Sequence, residues 1–149
     1  MKELKQRVKQ YFGLKELVCP EVYHKYGDRA WSFFDPRLLE TLVYLREKID
    51  RPFYVNNWDQ GGSYSQRGLR CNQCELVKSA TMQDRIYMSA HSQGQGIDFD
   101  VEGMQAHEVR KLILEIQEEL PYPIRLENHV CWVHLDVRET GSQVYIFNP

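Results

Sequence analysis

Three segments of the chain carry apolar residues at helical spacing. The first covers residues 1–12, the second begins at Asp35-Pro36, and the third covers residues 105–120. Asp35 can cap a helix and Pro36 suits the first helical turn. Each segment therefore predicts an amphipathic helix with one buried face. The apolar positions are Leu4, Val8, Tyr11, Phe12, Leu38, Leu39, Leu42, Leu45, Ile49, Val109, Leu112, Ile113 and Ile116.

Short segments that alternate apolar and polar positions, or that are rich in β-branched and aromatic residues, predict strands. They cover residues 53–55, 96–101, 124–127, 131–137 and 144–147. Gly141-Ser142 separates the last two and favours a turn, so we expect these two strands to form a hairpin.

These elements predict an α+β fold, a small antiparallel sheet with helices packed on one side. A chain of 149 residues fits a single domain, so we expect one domain over residues 1–149. Residues 1–34 are expected to form a helical extension packed on it, with a short helical turn near Glu16–Cys19 and irregular chain afterwards. Residues 56–72 are loop-like, and a loop of this length in a compact domain indicates function or mobility. Residues 75–88 show no decisive period.

Composition narrows the class of protein. The net charge is −2, from 19 basic and 21 acidic residues, which argues against nucleic-acid binding. The N-terminal segment has no apolar core of a signal peptide, and no apolar run is long enough to span a bilayer. We therefore expect a cytoplasmic protein as synthesised, without a membrane partner and monomeric, whose four cysteines are reduced.

Two stretches, residues 89–98 and 132–136, carry side chains that bind metals. His91 falls in a glycine-rich turn, Asp98 in the following strand, and His134 in a later strand between two apolar residues. Antiparallel pairing of the two strands would bring the three side chains to one face of the sheet. Two imidazoles and a carboxylate suit zinc, and a catalytic zinc site has three protein ligands and an open fourth position.

The pattern Ser-x-His-x-x-Gly-x-x-x-Asp, filled by Ser89, His91, Gly94 and Asp98, resembles the zinc motif of the peptidase M15 family. Trp132-Val133-His134 is similar to the later motif that supplies the third ligand in that family. The family comprises D-Ala-D-Ala carboxypeptidases, dipeptidases and L-alanyl-D-glutamate endolysin peptidases, and shares its fold with the hedgehog signalling domain. The resemblance implies a bacterial or phage zinc metallopeptidase that hydrolyses peptidoglycan peptides. It also implies that Zn²⁺ is held by His91, Asp98 and His134. A protein released by lysis, or carried in a virion, would reach that substrate.

The chain departs from the family pattern at one position. Many members have a glutamate three residues before the last ligand as general base, and here that position is Cys131. A metalloenzyme still needs a group that accepts a proton from the attacking water. Glu127 is our first candidate, and His129 is a second. Asp136 shares a strand face with His134, so it is expected to act as a base or as a partner of that ligand.

Arginine side chains are candidates for substrate recognition, because a guanidinium can pair with a carboxylate through two hydrogen bonds. Arg67 and Arg70 follow the glycine-rich loop, in a region similar to the one that precedes the zinc motif in the family. We expect Arg70 to contact the substrate.

Two other functions remain open. A binding or phage structural protein of the same fold would retain zinc for stability alone, and the missing glutamate favours it. Cys71-x-x-Cys74 could indicate redox chemistry or a second metal site. Neither Cys19 nor Cys131 forms a second closely spaced pair with another cysteine, so the motif is interpreted as loop thiols.

Overall fold

The computed structural model describes all residues, 1–149. Its α-helices are α1 (Lys2–Lys9), α2 (Leu14–Leu17), α3 (Pro20–Tyr26), α4 (Pro36–Ile49), α5 (Glu75–Met82) and α6 (Ala106–Glu115). Short 3₁₀ helices cover Gly27–Phe33, Trp58–Gln60, Ala90–Gln93 and Gln117–Glu119. The strands are β1 (Phe53–Tyr54), β2 (Gly96–Val101), β3 (Ile124–Glu127), β4 (Val133–Asp136) and β5 (Val144–Phe147). None of the helices combines the length and the apolar character needed to cross a bilayer.

The five strands form one sheet in the order β1-β2-β4-β3-β5. All neighbouring strands are antiparallel except β3 and β5, which are parallel. This mostly antiparallel sheet with surrounding helices confirms the predicted α+β class.

The predicted hairpin between the last two strands is wrong. Both edges of β4 are already occupied, by β2 on one side and β3 on the other. The turn at Gly141-Ser142 does reverse the chain, but β5 then pairs with the free edge of β3. Ile124 N–H donates to the Gln143 carbonyl and Asn128 N–H to that of Phe147, which holds β5 there.

The two faces of the sheet differ in chemistry because side chains alternate along each strand. Ile97 and Phe99 of β2, with Leu135 of β4, belong to one large apolar core that also includes residues of α4 and α6. The intervening positions, Asp98 and His134, lie on the opposite face. The apolar core thus supports a polar face made by the same strands.

The N-terminal residues belong to the same core. Val8 and Phe12 are fully or almost fully buried, and α1 packs against α4. The irregular chain expected after residue 19 is largely helical instead, as α3 and a 3₁₀ helix. Pro20 occupies the first turn of α3, where its missing N–H costs nothing, and Gly27 ends the helix with a positive φ of 51°.

The long loop over residues 56–72 is tied to α2 and the residue after it. Asn56 donates from its side chain to the Val18 carbonyl, and Leu69 N–H donates to the Leu17 carbonyl at 2.8 Å. A Cβ atom on Gly68 would overlap the Leu17 carbonyl oxygen, so this close approach requires glycine. The loop therefore has a defined path, and near its end Arg70 lies at the polar face of the sheet.

Candidate metal centre

Strand pairing brings two of the predicted ligands together. Asp98 of β2 lies directly opposite His134 of β4 in the antiparallel register, so both side chains leave the same face of the sheet. The sequence-based expectation that these strands pair antiparallel and converge their polar side chains is confirmed.

The third predicted ligand, His91, reaches this face from the 3₁₀ helix that precedes β2. Ser89 caps that helix, and its hydroxyl accepts a hydrogen bond from the His91 N–H at 3.2 Å. The helix ends at Gly94, which has a φ of 67° and lies against the Phe33 backbone, where a Cβ atom would overlap the carbonyl oxygen. The Gly94 carbonyl also accepts from Asp35 N–H, so α4 begins beside the turn that carries His91.

The donor atoms of His91, Asp98 and His134 all lie within 4.8 Å of one another, and all three residues are buried. The Asp98 carboxylate lies between the rings: Oδ1 is 2.7 Å from His134 Nδ1, and Oδ2 is 3.3 Å from His91 Nε2. This group could hold one metal ion.

The remaining nitrogen of each imidazole has its own acceptor, which orients the ring. His91 Nδ1 lies 2.9 Å from the Gly68 carbonyl, so it must donate and Nε2 presents its lone pair to the site. His134 Nε2 lies 2.9 Å from Asp136 Oδ2, so Nδ1 is the nitrogen that faces Asp98. Outer partners of this kind orient metal-binding histidines.

The electrostatics of the metal-free protein favour a cation at this position. Burial opposes ionisation of Asp98, but the hydrogen bond from His134 and the adjacent His91 ring outweigh it and hold the carboxyl pKa well below its usual range. Burial likewise opposes charging of His134, but its bonds to Asp136 and Asp98 raise its pKa to about 9. Without metal, a proton on His134 supplies the positive charge between two carboxylates.

Asp136 is fully buried and holds His134 rather than facing the cavity freely. Its two oxygens accept from the Arg125 guanidinium at 2.7 and 2.9 Å. Burial would raise the carboxyl pKa, but His134 and Arg125 overcome that and lower it to about 2. A carboxylate so weakly basic and so fully bonded suits the orientation of a ligand better than proton transfer.

The cavity over this face has a volume of about 330 Å³. Besides the three ligands it is lined by Arg70 and Glu127. A larger cavity of about 530 Å³ shares no residue with it and contains His129 and Cys131. We place the candidate site in the smaller cavity, since only that one contains the convergent donor atoms.

Glu127 is the last residue of β3. Leu126 pairs with Leu135 of β4, so Glu127 follows beside His134 on the cavity face. The second candidate base lies elsewhere: His129 has a positive φ of 57° and lines the larger cavity. Cys131, which stands where the family has its glutamate, is exposed in that cavity as well.

The two candidate arginines have different surroundings. Arg70 lines the cavity, with Nη2 3.3 Å from Asp98 Oδ2 and Nη1 donating to the Tyr87 hydroxyl at 2.7 Å. Arg67 turns away to Asp100, at 2.9 Å, and stacks on Tyr64. The structure therefore brings Arg70 to the site and leaves Arg67 outside it.

Sequence reasoning missed three further residues of the cavity: Arg125, Arg138 and Phe147. Arg138 donates to the Met88 carbonyl and to Gln93, and the Phe147 ring lies edge-on to His134 with 5.8 Å between centroids. Arg125 could have been predicted, because alternation along β3 places it on the same face as Glu127. The position of Phe147 depends on which strand β5 pairs with, and no local sequence pattern predicts that pairing.

In comparisons with known proteins, no family model matched the chain, and no curated protein or solved structure gave a significant match.

Proposed function

We propose that the chain is a zinc-dependent peptidase that acts on peptidoglycan stem peptides or cross-links, with the hedgehog/DD-peptidase type of fold. The observation that carries the proposal is the convergence of His91, Asp98 and His134 in a cavity that also contains an arginine and a glutamate. Two imidazole nitrogens and a carboxylate oxygen fit zinc, and each ring is oriented by a partner on its other nitrogen.

Three protein ligands would leave a fourth position for water, as in catalytic zinc sites. Zinc bound here would polarise a scissile carbonyl and make water nucleophilic at neutral pH. The role of Glu127 is to accept a proton from the attacking water and return it to the leaving amine, because the other two carboxylates of the cavity, Asp98 and Asp136, are already bonded to histidine and arginine side chains.

Arg70 supplies the positive charge that a peptide carboxylate or a developing oxyanion needs. Its guanidinium is held by Asp98 and Tyr87, so it is already oriented in the cavity before substrate arrives. Stem peptides end in a free carboxylate, which a planar guanidinium recognises well.

A binding protein of the same fold that uses zinc only for stability is the second candidate. The observation that favours it is Cys131, which replaces the usual glutamate and is exposed in the other cavity. The two functions differ in whether Glu127 can replace the missing base.

The test uses the zinc-loaded full chain with purified peptidoglycan and with a stem pentapeptide ending in D-Ala-D-Ala. New amino groups and free D-Ala are measured. We expect Glu127→Gln to lower kcat by about 10²- to 10⁴-fold while zinc content stays unchanged. Arg70→Ala should raise KM by roughly 10- to 100-fold, the value of a hydrogen bond to a charged group.

Glu118→Gln is the matched control, since this exposed glutamate lies outside the cavity and should leave both constants unchanged. Full zinc occupancy without hydrolysis of either substrate would reject the peptidase and favour the binding protein. Absence of zinc from wild type after loading would reject both.

A further inference from the structure

Three of the four cysteines meet at a second place in the structure. Cys19 lies between α2 and α3, next to Val18, which forms a parallel bridge with Leu69. That bridge brings Cys19 to the Cys71-x-x-Cys74 loop, and the sulfurs of Cys19 and Cys71 are 3.6 Å apart. Sequence spacing interpreted Cys71 and Cys74 as loop thiols and did not reveal this neighbour, because Cys19 reaches them from 52 residues upstream.

A carboxylate completes this group. Glu21 is in the first turn of α3, and its carboxylate and the three sulfurs all lie within 4.8 Å of one another. Cys19 and Cys74 are buried, whereas Cys71 is partly exposed. Glu21 follows Cys19 by two residues, and its carboxylate supplies a fourth donor atom beside the three sulfurs.

The sulfur separation fits shared coordination. Zinc–sulfur bonds of about 2.3 Å in a tetrahedron place two sulfurs about 3.8 Å apart. The observed 3.6 Å is close to that spacing. A disulfide requires about 2.05 Å, and an odd number of thiols cannot all pair in disulfides.

Two backbone features favour a negative charge at Cys71 and Cys74, although burial raises the pKa of the Cys71 thiol in the metal-free protein. The Gln73 N–H points at the Cys71 sulfur, with 3.4 Å between nitrogen and sulfur. Cys74 is the N-cap of α5, where the positive end of the helix dipole favours a negative charge. Thiolates rather than thiols are the groups that bind zinc.

We propose that Cys19, Cys71 and Cys74 bind a second zinc ion through their thiolates, with the Glu21 carboxylate as fourth ligand. Binding releases the three thiol protons. Four protein ligands leave no open position, which is the arrangement of a structural site. The proposal is independent of peptidase activity.

The position of this site gives it a structural role. Cys71 directly follows Arg70, and the same loop supplies the Gly68 carbonyl that orients His91. A zinc ion on the thiolates would therefore hold the loop that delivers these two groups to the cavity.

The first test counts zinc in the full chain after dialysis against zinc chloride. We expect the double variant Cys71→Ser, Cys74→Ser to lose one zinc equivalent relative to wild type. The matched control Cys131→Ser, at an exposed cysteine outside the cluster, should lose none. The double variant His91→Ala, His134→Ala should keep the thiolate-bound zinc, so failure of the sheet site and failure of the thiol site give different counts.

Loading the metal-free protein with cobalt instead of zinc identifies the ligands by spectroscopy. Cobalt-loaded wild type should show a near-ultraviolet thiolate-to-cobalt charge-transfer band, which Cys71→Ser weakens and Cys131→Ser leaves unchanged. Glu21→Gln should lower zinc affinity at this site by at least about tenfold while retaining part of the band.

Alkylation of unmutated protein removes any dependence on the folding of the variants. With zinc, only the exposed Cys131 should react. After chelation the partly exposed Cys71 should react as well, while Cys19 and Cys74 stay protected by burial. Equal reactivity with and without zinc would overturn the proposal. So would an unchanged zinc count in Cys71→Ser, Cys74→Ser, or a Cys19 disulfide in freshly purified protein.

Discussion

The two candidate metal clusters are built in different ways. On the sheet, Asp98 and His134 are fixed by strand register and each histidine has an acceptor on its other nitrogen. At the thiol cluster, Cys19, Cys71 and Cys74 come from chain segments joined by loops. The first cluster opens into a cavity, and the second provides four donors of its own. An open set of three donors suits chemistry, whereas a closed set of four suits stabilisation.

The largest expected loss of zinc affinity follows from changing a ligand of the open site on the sheet. Asp98→Asn keeps the shape of the side chain but removes its charge. Loss of a residue that only orients a ligand costs up to about 100-fold in metal affinity, so loss of the ligand charge itself should lower zinc affinity by more than that. Zinc titration measured by competition with a chelating dye checks this.

Asp100→Asn is the control for that variant. Asp100 is on the same strand two residues further on, but it pairs with Arg67 outside the cavity. If both variants lost zinc equally, the strand rather than the donor geometry would account for the loss.

A smaller loss of zinc affinity is expected when the residue that orients His134 is changed. Asp136→Asn weakens the acceptor that orients His134, so zinc affinity should fall by roughly 10- to 100-fold. The same titration measures it. Arg125→Gln leaves the contact between Asp136 and His134 in place and should cost less; a larger loss than in Asp136→Asn would contradict the proposed orienting role.

The smallest effect concerns the helix start beside the turn that carries His91. The Asp35 side chain accepts from Arg37 N–H, so Asp35→Ala should lower the free energy of unfolding by about 1 kcal/mol. For a chain of this size Tm should fall by about 2–4 °C. Thermal unfolding followed by circular dichroism measures the change.

The effect of Asp35→Ala should depend on pH. The hydrogen bond from the Arg37 side chain lowers the Asp35 pKa below 3.8 in the folded protein. The carboxylate therefore contributes fully above pH 3.8, and its contribution is lost as pH falls below that value. Asp35→Asn keeps a capping side chain without titrating. A difference between wild type and Asp35→Ala that grew on acidification would contradict this account.

Residues whose placement depends on local periodicity were predictable from the sequence. Alternation along residues 96–101 indicated that Asp98 points to the opposite face of the strand from Ile97 and Phe99. The helix start at Asp35-Pro36 follows from capping chemistry. The convergence of His91, Asp98 and His134 followed from two such local patterns and one strand pairing, and the structure has that pairing.

Features that depend on long-range packing were not predictable in this way. The partner of β5 depends on which strand edge remains free, which no local pattern in Val144–Phe147 encodes. Cys19 lies beside Cys71 because Val18 forms a bridge with Leu69. That bridge is possible because Gly68, which has no side chain, can approach the Leu17 carbonyl closely. The identity of the metal and of the substrate remain predictions.

The outer position of β5 matters for how the protein is handled. Phe147 lines the cavity and its ring lies against His134, and Pro149 follows only two residues later. A polyhistidine purification tag fused after Pro149 would begin next to the imidazoles it resembles and could compete with them for metal. A tag placed before α1, which packs on α4, avoids that proximity in sequence and would give cleaner metal counts.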